Sequence, residues 1–129
     1  MYKGFSLSQS SGFAAREFDK TAPAPGLDWS GEVETWLTGA ASKGWVTKSS
    51  ERDAKVGALL IGADNYPAGL WVGIVRTVST EGMSYETLDK KGKKIVLTKD
   101  YASLRTVFQG YIWPERPLTP KRAKLILTS

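Results

Sequence analysis

Residues 56–112 read VGALLIGADNYPAGLWVGIVRTVSTEGMSYETLDKKGKKIVLTKDYASLRTVFQGYI, and the period of this stretch decides the fold class. Apolar or alternating segments recur at 56–61, 70–78, 83–88, 94–98 and 106–112, each of strand length. The separators are turn formers: GADNYP at 62–67, Glu81-Gly82, and DKKG at 89–92, the last two short enough for hairpins. This pattern predicts a five-stranded antiparallel meander.

Upstream the period changes to that of helices. Ser10 and Ser11 are candidate N-caps for a helix reaching about Asp19, with Ala14 and Phe18 spaced i, i+4, before Pro23 and Pro25 forbid continuation. Ser30 then caps a predicted second helix. Glu32 and Glu34 suit the positive end of its dipole, Val33, Trp36, Leu37, Ala40 and Ala41 form its apolar face, and Gly44 ends it. Helices first and strands second predict an α+β domain, with the helices packed on one face of a curled sheet.

The chain has 129 residues, enough for one core, and its five Trp, five Tyr and four Phe supply the bulk to fill it. One domain over residues 1–114 is expected, followed by a Pro-rich, basic tail at 115–129 that holds Lys121, Arg122 and Lys124. Leu125, Ile126 and Leu127 could pin that tail as an edge strand, on this chain or on a neighbour. The net charge of +5 permits anionic partners without demanding them, and Lys90, Lys91, Lys93 and Lys94 around Gly92 read as a solvated hairpin tip, since no aromatic residues interleave them. Nucleic acid is not the expected partner.

Cysteine and histidine are both absent. Thiolate chemistry, disulfides and the usual imidazole base go with them, and neither zinc-ligand spacing nor a phosphate loop occurs, so no metal or cofactor is implied. No apolar run approaches the ~20 residues of a spanning helix, and the N-terminal MYKGFSLSQSSG lacks the apolar segment of a Sec signal peptide. If Met1 is the true start, the expectation is a cytoplasmic or virion-associated protein; a processed chain would point to the cell surface or exterior.

The joint order of these segments resembles the CHAP domain, the cysteine- and histidine-dependent amidohydrolase/peptidase of bacteria and phages, over about residues 8–114. Ser10-Ser11-Gly12-Phe13-Ala14 stands where that family opens its first helix with cysteine. Trp29-Ser30-Gly31-Glu32-Val33 with Trp36, then Gly44-Trp45, follows its second helix, and Gly57-Ala58-Leu59 its first strand. Leu70-Trp71-Val72-Gly73-Ile74-Val75 matches the strand that carries the histidine, and FQGYIWP at 108–114 closes the match. The resemblance implies a papain-like fold in which Ser10 replaces the nucleophile and Trp71 the histidine, with Glu86 nearest the position that orients it.

These substitutions remove the chemistry. A serine hydroxyl needs a positioned base, and indole offers only an N–H donor. The expected function is therefore a catalytically inactive binding or assembly module, with Ser10, Trp29, Trp71 and Glu86 as the candidate groove. Its expected partner is a protein or a second copy of the chain, joined through residues 125–127, or a cell-wall peptide or glycan. The alternative is a hydrolase using Ser10 with a lysine base from among Lys3, Lys20, Lys43, Lys48 and Lys55. A carboxylate pair drawn from Glu86 and Asp28, Glu32, Glu34 or Asp64 has no spacing to support it. Trp71 reads either as an aromatic that fills the space of the lost imidazole or as a stacking platform in an open groove.

Overall fold

A computed structural model describes residues 9–29, 31–65, 68–89 and 91–117. It is α+β: helix α1 (Ser10–Thr21), a 3-10 turn at Val33–Thr35 leading into α2 (Trp36–Ser42), and strands β1 (Thr47–Lys48), β2 (Leu59–Asn65), β3 (Ala68–Val78), β4 (Gly82–Leu88), β5 (Lys94–Asp100) and β6 (Phe108–Ile112), with a short α3 (Tyr101–Arg105) before β6. The strands form one antiparallel sheet in the order β1-β6-β2-β3-β4-β5.

Two features of this sheet correct the sequence reading. It has six strands where five were expected, because Thr47 and Lys48 pair with Ile112 and Tyr111. It is also not a simple meander. β2 to β5 follow one another, but β6 returns to the far side of β2, where Leu59 faces Ile112 and Leu60 faces Tyr111. The return is made by α3, whose N-cap Asp100 accepts from the Ser103 amide at 2.7 Å. Alternation within each strand is local, whereas the choice of neighbour depends on which edge the α3 crossover can reach.

The helices differ in their starts. The N-cap of α1 is Gln9, so Ser10 is the first helical residue and neither Ser10 nor Ser11 caps it. The second helix is shorter than expected: the segment enters through the 3-10 turn after Glu32, and Ser30 lies outside the described residues. Gly44, at φ +89, ends it in the left-handed conformation that favours glycine.

Each face of the sheet carries a core. On the helix face, Leu59, Ile61, Val72, Ile74 and Ile112 meet Ala14, Ala15 and Phe18 of α1, Trp36 and Ala40 of α2, and the loop residues Trp29 and Trp45. Phe18, Trp29, Trp36 and Trp45 form a chain of tilted and edge-on ring contacts with centroids 5.3 to 6.4 Å apart. Gly110 admits Leu37 of α2 against the strand, since a Cβ there would lie 2.7 Å from Leu37 Cδ1. On the second face, Ala58, Leu60, Val75, Met83, Tyr85 and Tyr111 pack with Tyr101 and Leu104 of α3. Residues 114–117 are held beside β1: the Val46 amide donates to the Glu115 carbonyl, Arg116 Nε donates to the Lys43 carbonyl, and Arg116 also pairs with Asp28.

Candidate functional site

The site arises where two neighbouring strands part. β3 and β4 pair from Val78↔Met83 to Ile74↔Glu86 and no further, although β4 continues to Leu88 against β5. Beyond Ile74 a side chain spans the gap: Thr87 Oγ1 donates to the Val72 carbonyl at 2.7 Å. The N-terminus of α1 lies beside the same residue, and the Val72 amide donates to Ser10 Oγ at 3.2 Å. One peptide strand is thus held by two hydroxyls, one from α1 and one from β4.

A groove of about 790 Å³ opens at this point. Its lining includes Ser10 and Ser11 of α1, Trp71 of β3, Tyr85 and Thr87 of β4, and Leu97 and Lys99 of β5. Glu32, Glu34 and Asp89 add three carboxylates to Lys99 as the charged groups. The Trp71 and Tyr85 rings are stacked, with centroids 5.1 Å apart and planes 14° from parallel. Two glycines provide the room for them. Gly62, directly across the ladder from Trp71, would collide through a Cβ with Cζ2 and Cε2 of the indole; a Cβ on Gly73 would lie 2.8 Å from Tyr85 Cδ2. Trp71 is half-buried, so it both packs against the sheet and lines the groove.

Of the residues expected at the site, Ser10 and Trp71 are brought together in this groove, and Trp29 and Glu86 are not. Trp29 is 4% exposed within the helix-face core, and its indole Nε1 is buried with no hydrogen-bond partner among the described residues. Glu86 turns to the helix face, since it opposes Ile74; there Arg76 donates to its Oε1 from Nε at 3.0 Å and from Nη2 at 2.6 Å. The same Nη2 donates to Glu17 Oε1 of α1 at 2.7 Å. Burial alone would raise the Glu17 carboxyl, but hydrogen bonds from Lys20 and Arg76, with their charges, outweigh it and hold it below its usual value. The side chain beside Trp71 is Tyr85, one residue earlier, because a step of one along a strand reverses the face.

Comparison of the chain with protein-family models, with curated proteins and with solved structures finds no match in any of the three.

The remaining candidates are distributed elsewhere. Lys20 pairs with Glu17, Lys48 lies over the Trp113 ring, and Lys55 pairs with Glu115. Lys3 and residues 125–127 lie outside the described residues. The lysine in the groove is Lys99, which the sequence reading did not single out. At the hairpin tip, Asp89 Oδ1 accepts from the Lys91 and Lys93 amides at 2.8 and 2.9 Å, and Lys91, Lys93 and Lys94 are exposed. No helix among the described residues is long and apolar enough to cross a membrane, and no group of three or more acidic side chains among them converges to hold a metal ion.

Proposed function

We propose that the chain is a CHAP-like domain of papain-like layout that has lost the family's chemistry and uses the surviving groove to bind a ligand. The observation that carries this reading is that Ser10, first residue of α1, and Trp71, the two positions corresponding to that family's cysteine and histidine, line one groove. Ser10 Oγ accepts from a backbone amide, and its neighbour at the histidine position is an indole that cannot take its proton. What the groove retains suits binding: the half-buried Trp71 ring, backed by the buried Tyr85, for a sugar or the side chain of a peptide, and three carboxylates against one lysine, which favours a ligand with cationic or hydrogen-bond-donating groups.

Soluble cell-wall fragments, separated into glycan and stem-peptide pools, provide the test. Titration into the protein with tryptophan fluorescence and NMR as readouts should shift Trp71 and Tyr85 signals, and Trp71→Ala should abolish the response. Unchanged spectra with both pools would reject the wall-ligand reading. The alternative, a hydrolase built on Ser10, gains one specific observation, the presence of Lys99 in the same groove. Turnover of wall fragments or activated acyl esters that is lost in both Ser10→Ala and Lys99→Met would replace the binding reading with the enzymatic one.

A further inference from the structure

β5 is an edge strand whose outer side has no partner among the described residues, since its only described ladder is with β4. It is also unusually inviting for an edge. Natural edges are guarded by charge, proline or shortness, yet the centre of β5 is Ile95-Val96-Leu97-Thr98, with lysines only at its ends, and Val96 and Leu97 are 59% and 38% exposed. The opposite edge, β1, is protected by being two residues long.

The sequence beyond the described residues supplies a segment that fits. Residues 124–129, KLILTS, nearly repeat residues 94–99, KIVLTK, with the same lysine, aliphatic triplet and threonine in order. We propose that residues 122–128 of one copy add antiparallel to the outer side of β5 in a second copy. Charge and apolar matching set the register. With Ile126 opposite Val96, Leu125 falls opposite Leu97, Leu127 opposite Ile95, and Arg122 opposite Asp100, whose carboxyl is held below its usual value chiefly by the Ser103 amide and stays ionised. A parallel arrangement that aligned the two apolar triplets would instead set Lys124 beside Lys94 and Lys121 beside Lys91. Cross-strand opposite charges stabilise, and like charges destabilise.

The departure point of the tail favours a neighbour over its own sheet. Arg116 is tied to Lys43 and Asp28 beside β1, at the edge remote from β5. The five residue-to-residue steps from Pro117 to Arg122 reach at most about 18 Å, whereas five strand spacings from β1 to β5 amount to roughly 24 Å. The contact is head-to-tail, so repetition builds an open chain or a ring. Because Leu97 also lines the groove, the added strand would border that site.

The absence of native cysteine makes the test clean. Full-length Val96→Cys and Ile126→Cys proteins are mixed and oxidised, and the cross-linked dimer is compared with that from Val96→Cys plus Ala123→Cys. Directly opposed antiparallel residues have Cα atoms about 4.5 to 5.5 Å apart, within disulfide range, so the first pair should link at least about ten-fold faster than the second. Ile126→Asp, checked for intact folding by circular dichroism, should remain monomeric in sedimentation at concentrations where the parent chain gains mass. Equal cross-linking rates, no cross-link, a monomeric parent chain, or a Val96→Cys/Ile126→Cys double variant that closes only within one molecule would each overturn the proposal. Trp71→Ala removes groove binding without touching β5 or the tail, so this inference and the groove reading fail separately.

Discussion

The two faces of the sheet are built from the same alternating strands but are closed differently. On the helix face, α1, α2 and the loop between them cover the strands, and the interior is continuous from Phe18 through Trp29, Trp36 and Trp45 to Val72 and Ile74. On the second face the small α3 covers only part of the surface, so that the Trp71–Tyr85 stack continues from the core into the groove. The contrast shows how one sheet can separate stability from recognition. Aromatics enclosed on all sides contribute through burial and packing, whereas Trp71, given room by Gly62 and backed by the buried Tyr85 at the edge of a core, keeps surface for a ligand.

Substitutions on each face should therefore differ in kind. Trp36→Ala removes a fully buried indole and should cost about 3–5 kcal/mol in chemical denaturation, the range for large-to-small core changes. Trp71→Ala should cost less than half as much and act instead on ligand binding; an equal loss of stability would mean that Trp71 belongs to the core. Gly62→Ala sharpens the same point, because the new methyl must displace the indole. It should cost roughly 1–3 kcal/mol through overpacking and move the Trp71 fluorescence, while Gly110→Ala should disturb Leu37 and leave that fluorescence unchanged.

The faces should also respond to opposite ends of the pH range. Glu17, on the helix face, has its folded-state carboxyl held below its ordinary value of 4.5, so its contribution is present above that pH and is lost as pH falls through the folded value. Arg76→Leu should flatten this acid limb. Tyr111, on the second face, is buried and its hydroxyl donates to the Glu51 carbonyl at 2.8 Å, so burial pushes its phenol well above the usual 10.0. The sign is reversed: this contribution is complete below pH 10 and declines above it, as the unfolded phenol ionises first. Tyr111→Phe should remove the alkaline limb at a cost of about 1 kcal/mol at neutral pH, the net worth of one hydrogen bond. A stability profile with the same pH limbs in parent and variants would remove this distinction between the faces. The smallest effect belongs to Trp29→Phe: it deletes an indole N–H buried without a partner among the described residues, and the relief offsets the lost bulk, giving a change within about 1 kcal/mol.

Helix and strand periods alone singled out no site residue. Ser10 and Trp71 were chosen because the resemblance to the CHAP pattern sets them at its cysteine and histidine positions, and both line the groove. Glu86 was misplaced by one step. Residues 83–86 are all half-buried or buried, so no alternation in that segment marks which side chains face the groove. Two glycines within strands, Gly62 and Gly73, were the available signal for Trp71 and Tyr85, since each leaves room for an aromatic ring. Lys99 and Asp89 carried no such signal, because what brings them to the groove is the parting of β3 from β4.

The sequence by itself determined the α+β class, the approximate extents of α1, β3, β4 and β5, and the absence of thiol and imidazole chemistry, because dihedral preferences, side-chain period and functional groups are properties of short stretches; β2, expected at 56–61 before a turn at 62–67, instead runs Leu59–Asn65. Only the tertiary structure decided that β6 lies between β1 and β2, that Tyr85 and not Glu86 neighbours Trp71, and that Trp29 is enclosed. Those outcomes depend on register and on which surfaces meet, and a shift of one residue in register exchanges one face of a strand for the other.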